Sequence, residues 1–343
     1  MKKVFLVAGV HLACLAPSHA LVINLNAPVG IDPGALSGFQ LAANYWQSKL
    51  ADNVTVNIDV NFSALGPGIL GSTGSSQLGF AVSDVMGALA FDATSANDTL
   101  AVSSFPNLST LGNLSFLTQQ NTEGGSALVS LDSDDLGAAS NNNQYLALTS
   151  ANARALGWDP GNPTYVDAAI SFSSLFSWDF DSSDGVGAGL QDFVGVTIHE
   201  MGHALGFVSG VDDVDYYITN PFDIDPYAVF SALDLFRYSA PGTLDLGVGD
   251  ATYFSLDGGA TNLGAFSTGS FANGGDGRQA SHWKDNLGLG IMDPTANPSG
   301  QVNTPTALDL TAFDAIGWNL VPEPSSALLA IAGAVIGLAR RRR

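Results

Sequence analysis

Between residues 35 and 62 the spacing of apolar positions changes period. Along ALSGFQLAANYWQSKL (35–50), Leu36, Phe39, Ala43, Trp46 and Leu50 recur at three- to four-residue steps, which places them on one face of a helix. Val54, Val56, Ile58, Val60 and Phe62 then alternate with polar residues, the two-residue period of a half-buried strand. LGPGILGSTGSS (65–76) predicts a turn-rich connection. Residues 82–101 and 140–157 predict two further helical regions, the second stopped by Gly157, and DAAISFSSLFSWDF (167–180) predicts a strand. Asp192 is placed to cap a helix that runs through FVGVTIHEMGHALGF. From 208 to 281 the periodicity dissolves, and we read one irregular insertion with short strands. TPTALDLTAFDAIGW predicts a last helix, with Thr304 as N-cap, Pro305 at N1, a face of Leu308, Ala312, Phe313 and Ile316, and Gly317 as the stop. Helices and strands mix without an internal repeat or a linker, so the expectation is a single α+β domain over 21–320.

The two ends stand apart from this pattern. Lys2 and Lys3 lead an apolar run from Val4 to Ala16, followed by Ser18-His19-Ala20; this predicts a secretory signal peptide over 1–20. At 321–343, Pro322, Glu323 and Pro324 precede an apolar stretch from Ala327 to Ala339 and four arginines, Arg340–Arg343. As a helix that stretch would reach only ~20 Å, short of the ~30 Å hydrocarbon core. In all three parts it resembles the PEP-CTERM sorting signal of Gram-negative bacteria. The resemblance implies transient inner-membrane anchoring by this transmembrane tail, cutting by an exosortase-type processing enzyme, and delivery to the cell surface or extracellular space.

Charge and composition then narrow the partners. Removing Lys2, Lys3 and Arg340–Arg343 from eleven basic residues leaves five, and removing Glu323 from 32 acids leaves 31, so the mature chain carries 26 net negative charges. Such a surface makes nucleic acid and anionic membranes poor partners, and no nucleic-acid partner is expected. The only cysteine, Cys14, leaves with the signal peptide, so neither disulfides nor a masking thiol are available. Nearly all the acids are aspartate. The Asp- and Gly-rich WDFDSSDGVGAG makes Asp179, Asp181 and Asp184 candidate ligands for calcium, a hard cation that takes several oxygens, although their spacing is not that of an EF-hand.

The chemistry concentrates in TIHEMGHALGF (197–207). His199 and His203 lie four apart, on one face of a helix, and can point two imidazoles at one zinc ion. Glu200 can reach a metal-activated water without binding the metal. A catalytic zinc takes three protein ligands, and ten positions after His199 the chain has Ser209. Of five histidines, His11 and His19 leave with the signal peptide, so His282 is the one remaining candidate of that type. A glutamate ligand is excluded, since the only later one is Glu323 in the tail. Asp212 or Asp213 remains as an aspartate alternative.

HEMGHALGF, SHWKD and GIMDP together resemble the metzincin clan of zinc proteases, closest to leishmanolysin-type members, where an insertion separates the glycine from the third histidine. The likeness covers 190–320 well and the N-terminal half only as a general layout. It implies a metzincin-like domain: a twisted mixed sheet, an active-site helix and a C-terminal helix. It also implies zinc bound by His199, His203 and His282, Glu200 as general base, Gly206 as the exit from the helix and Met292 as the Met-turn beneath the metal. The strand at 168–180 becomes the expected sheet edge for an extended protein or peptide substrate. Pro294 stands where some members have a tyrosine, and Tyr216, Tyr217, Tyr227 and Tyr253 are the candidates to replace it. The competing expectation is a non-enzymatic acidic surface or matrix protein with a structural metal site.

Overall fold

The computed structural model describes residues 21–119, 128–133, 140–220 and 222–322. The predicted signal peptide and nearly all of the sorting tail, including the apolar run 327–339, lie outside them. Among the described residues no helix is long and apolar enough to cross a membrane.

The fold is mixed α+β with several sheets. Strand β1 (Val22–Asn26) leads into helix α1 (Pro33–Lys49), started by the Asp32 side chain, and returns as β2 (Thr55–Ser63). In β2 the buried Val56, Ile58 and Val60 alternate with polar residues as their period predicts; Asn57, on the other face, is buried by bonding Pro163 and Tyr165 carbonyls. Next come β3 (Gly71–Ser75), β4 (Gln77–Ala81), α2 (Val82–Asp92) and α3 (Ala96–Ser103). The single helix expected over 82–101 is thus two: Ser95 and Asp98 form a capping box that restarts the chain as α3.

Strands β5 (Phe116–Gln119) and β6 (Val129–Asp132) form a hairpin-like pair, followed by α4 (Asn141–Gln144), β7 (Tyr145–Thr149) and α5 (Ser150–Ala155). The continuous helical region expected at 140–157 is therefore interrupted by a strand. YLALT is drawn into an antiparallel pairing with β4, a tertiary contact that overrides local helical tendency.

Strand β8 (Ala168–Ser173) pairs parallel with β2 and antiparallel with β3, giving the main sheet the order β1-β2-β8-β3. Two expectations are corrected here. Residues 71–75 are a strand and not a turn, and that strand, not 168–180, is the sheet edge, because β8 has a neighbour on each side. Gly71 of β3 is a glycine because helix α6 crosses close behind it: a Cβ there would stand 3.0 Å from a carboxylate oxygen of Glu200. Side-chain size at Gly71 is limited by that crossing, and with Thr73 as its only branched residue β3 lacks the run that marks a strand in sequence.

Short strands β9 (Trp178–Asp179) and β10 (Gln191–Asp192) pair and deliver the chain to α6 (Phe193–Ala204). Helix α1 packs along α6, with Phe39 edge-on to both Phe172 and Phe193 and Trp46 Nε1 donating to Ile198 O. The insertion is more ordered than expected. It opens with α7 (Val211–Thr219) and folds four short strands, β11 (Arg237–Ala240), β12 (Thr243–Leu244), β13 (Tyr253–Phe254) and β14 (Gly264–Ala265), into a small antiparallel sheet. Helix α8 (Ala307–Ala315) closes the domain. Its N-cap is Thr306, not Thr304: a capping box needs an acid three residues on, which Thr306 has in Asp309 and Thr304 lacks. Gly317, in the left-handed region, ends the helix.

Candidate metal and catalytic centre

Asp192 caps α6 as expected, accepting from Gly195 N at 2.9 Å and, from across the fold, Asn303 N at 2.8 Å. One helical turn then brings His199 and His203 to the same face, and Gly206, at φ 120°, turns the chain out against Asn152. His282 arrives from the end of the insertion. His203 Nε2 lies 3.1 Å from His199 Nε2 and 3.2 Å from His282 Nε2. Among the described residues, this trio is the one group of three or more potential ligands that converges on a point.

Each ring is aimed by a main-chain carbonyl. His199 Nδ1 faces Ile291 O at 2.7 Å, His203 Nδ1 faces Phe207 O at 2.7 Å, and His282 Nδ1 faces Gln279 O at 3.2 Å. Those contacts put the proton on Nδ1 and leave three Nε2 lone pairs directed at one another, an arrangement that could hold a cation between them. Burial first, then the charge of His199, lowers the His203 pKa to about 3; burial and both partner rings lower that of His282 well below its ordinary value. Both rings are neutral near pH 7, the ligand form. Two nitrogens each ~2.0–2.1 Å from a tetrahedral zinc stand ~3.3 Å apart, so the donor set fits that ion.

Glu200 points to the sheet side of the same helix turn. Thr73 of β3 donates to its Oε2 at 2.6 Å and lies 3.0 Å from its main-chain oxygen. Burial raises the Glu200 pKa, while His199 and the Thr73 hydroxyl oppose the rise. Glu200 and His199 open onto a cavity of about 700 Å³ lined by residues 68–71 and by 290, 291 and 293–298.

Met292 is fully buried behind the helix. A Cβ on Gly202 would stand 2.6 Å from its sulfur, so the glycine of HEMGH is what lets the thioether close in. Asp309, also fully buried, holds this turn in place: its carboxylate accepts from Ile291 N at 2.9 Å, Met292 N at 3.3 Å, Trp283 Nε1 at 2.8 Å and Thr306 N at 2.6 Å. One carboxylate thus ties the His199 carbonyl partner, the neighbour of His282 and the start of α8.

Several expectations are not met. Asp179, Asp181 and Asp184 do not gather at a point. Asp179 accepts from Asp181 N and Gly187 N, and Asp181 from Ser183 N, so these carboxylates staple their own loop. Neither Asp212 nor Asp213 belongs to the ligand group. Tyr253 donates to Gly259 O at 2.6 Å, Tyr216, Tyr217 and Tyr227 form an aromatic cluster with Phe222 on the insertion, and no tyrosine lines the cavity. Sequence reasoning missed Thr73, which no pattern marks, and Asp309, whose spacing from Thr306 was a readable signal.

Residues 320–343 match the PEP-CTERM protein-sorting motif. This chain is addressed for export. The PEP-CTERM motif directs it to the cell surface or extracellular space of a Gram-negative bacterium and makes it a substrate for an exosortase-type processing enzyme. No curated protein and no solved structure matches the chain.

Proposed function

We propose that this chain is an exported zinc-dependent endopeptidase of metzincin type. The observation that carries the reading is the convergence of three imidazole Nε2 atoms beside a buried glutamate, at the wall of an open cavity. His199, His203 and His282 would hold zinc, and Met292 would floor the site. Bound there, zinc supplies a Lewis acid that polarises the scissile carbonyl and acidifies water. The protein's own residues do the rest. An extended peptide lies along the free edge of β3, main chain to main chain, with a side chain in the cavity. Thr73 occupies Glu200 Oε2 and leaves Oε1 to accept the proton of the attacking water. The same oxygen passes that proton to the departing amine.

The structural-metal reading is less well supported: structural zinc sites close with four protein ligands, and this group offers three and faces open space. Hydrolysis of a generic unfolded protein separates the two. The wild type should cleave it, lose activity to a chelator and regain it with zinc. Glu200→Gln should keep its metal and lose about 10²–10⁴-fold in rate. A fully active Glu200→Gln protein refutes the assigned base, and an inert, zinc-loaded wild type favours the matrix-protein reading.

A further inference from the structure

Two of the three candidate ligands need only α6 to meet, whereas His282 must be returned to them across the insertion. Where the chain leaves α6, Ser209 N donates to Ser281 Oγ at 2.8 Å. So Ser209, ten residues after His199, touches the residue next to His282. Three residues on, in the first turn of α7, Asp212 accepts from Ala280 N at 2.6 Å, from Ser281 N at 3.2 Å and from the Ser281 hydroxyl. All three donors belong to the two residues before His282. The other end of this junction is fixed too: Asp234 accepts from Gly210 N at 2.8 Å and from the Ser209 hydroxyl. On the far side of the segment, the buried Arg237 donates to Ala280 O at 3.2 Å.

We propose that Asp212 is the positioning residue for the third metal ligand: it clamps Ala280 and Ser281 to the start of α7 and thereby sets His282 against His199 and His203. The inference rests on the metalloprotease reading above. Asp212 is unsuited to be a ligand, because its two oxygens are already occupied by three donors. Its effect on the metal passes through the backbone, as a second-shell carboxylate's effect passes through the ring it orients. One turn along the same helix, Asp215 makes the same kind of grip on a different target, accepting from Ser270 N, Ser270 Oγ and Asn273 Nδ2 at 2.7 Å each. Asp215 therefore serves as a matched control. It has equal hydrogen-bonding duty, and its contacts lie nine residues from His282 at their nearest in sequence, at Asn273.

The test is zinc affinity by chelator competition on the full chain, together with the visible spectrum of the cobalt-substituted protein. Asp212→Ala should bind zinc about 10–100-fold more weakly, change the cobalt spectrum and lose most of the zinc-induced rise in Tm. Asp215→Ala should leave affinity and spectrum unchanged, whatever it does to the Tm of the apo protein. Asp212→Asn, which keeps an acceptor for Ala280 N, should fall between wild type and alanine, and it carries the test if the alanine variant does not fold. Wild-type affinity and spectrum in the Asp212 variants would overturn the proposal, as would an equal loss in Asp215→Ala. A wild type that binds no zinc would instead sink the metalloprotease reading on which this one rests.

Discussion

Two regions of the molecule solve the same problem by opposite means. Helix α6 places His199 and His203 through the fixed rise and turn of five consecutive residues. The insertion places His282 through buried charge: Asp234 and Arg237 sit in its core, and Asp212 sits at its rim. The helix needs closeness, and so it carries Gly202 against Met292; the insertion needs hydrogen-bond acceptors and donors at particular points, and so it carries charges. The comparison teaches that a metal site can be half local geometry and half long-range polar scaffolding, with different sensitivities in each half.

The insertion should be the more fragile half. Arg237 is buried, donates to Ser267 O at 2.6 Å as well as to Ala280 O, and lies over the Phe266 ring. Arg237→Ala strands those carbonyls and leaves the nearby Asp212, Asp234 and Asp245 without their cation; we expect a loss of about 3–5 kcal/mol in denaturant unfolding. A loss under ~1 kcal/mol would mean the insertion is not held by this charge.

On the helix side, Gly202→Ala forces a methyl group into the Met292 sulfur. The expected cost is about 1–3 kcal/mol of stability, the range for overpacking a filled core. Because Met292 lies behind the histidines, zinc affinity should fall with it; Gly202→Ala, Met292→Ala together should recover part of the stability. An unchanged Tm in the single variant would show that Met292 does not press on the helix.

A third variant lies outside both halves and calibrates them. Asp52 accepts from Asn319 N at 2.9 Å where the segment after α1 meets the segment after α8, and burial raises its pKa from 3.8 to about 6, against the hydrogen bonds from Asn319. Its folded pKa exceeds its unfolded one, so its contribution is fully present below pH ~4 and is lost as pH rises through about 6. Burial raises neighbouring Asp92 as well, and Asp314 to about 6, adding to the same slope. Asp52→Asn keeps an acceptor for Asn319 N and should flatten the fall in stability between pH 4 and 7 by about 1–3 kcal/mol. A fall of wild-type size in this variant would assign the slope to other groups.

The same division governs what could be read from the sequence. Helix α1, strand β2, the Asp192 cap and the His199–Glu200–His203 face are local, and their periods and spacings carry them. His282 was readable for a different reason: histidine is so scarce here that a census points to it. What escaped reading depends on contacts between distant segments. Strand β3 looks like a turn because its residues are glycine, serine and threonine, with Gly71 required where α6 brings Glu200 close, and β7 looks helical because only its partner β4 makes it a strand. In sequence Asp212 is a ligand candidate because it is an acid near the motif; its engagement with Ala280 and Ser281, nearly seventy residues on, has no sequence signature. The aspartates of 179–184 misled for a related reason, since a short acidic loop that caps its own backbone has the composition of a calcium loop.

The measurement closest to the central claim is metal content of the purified full chain, wild type against His282→Ala. The account predicts about one zinc per wild-type chain and, without the third imidazole, a loss of affinity beyond the ~10–100-fold expected of a second-shell change. Zinc retained at full affinity in His282→Ala would contradict it.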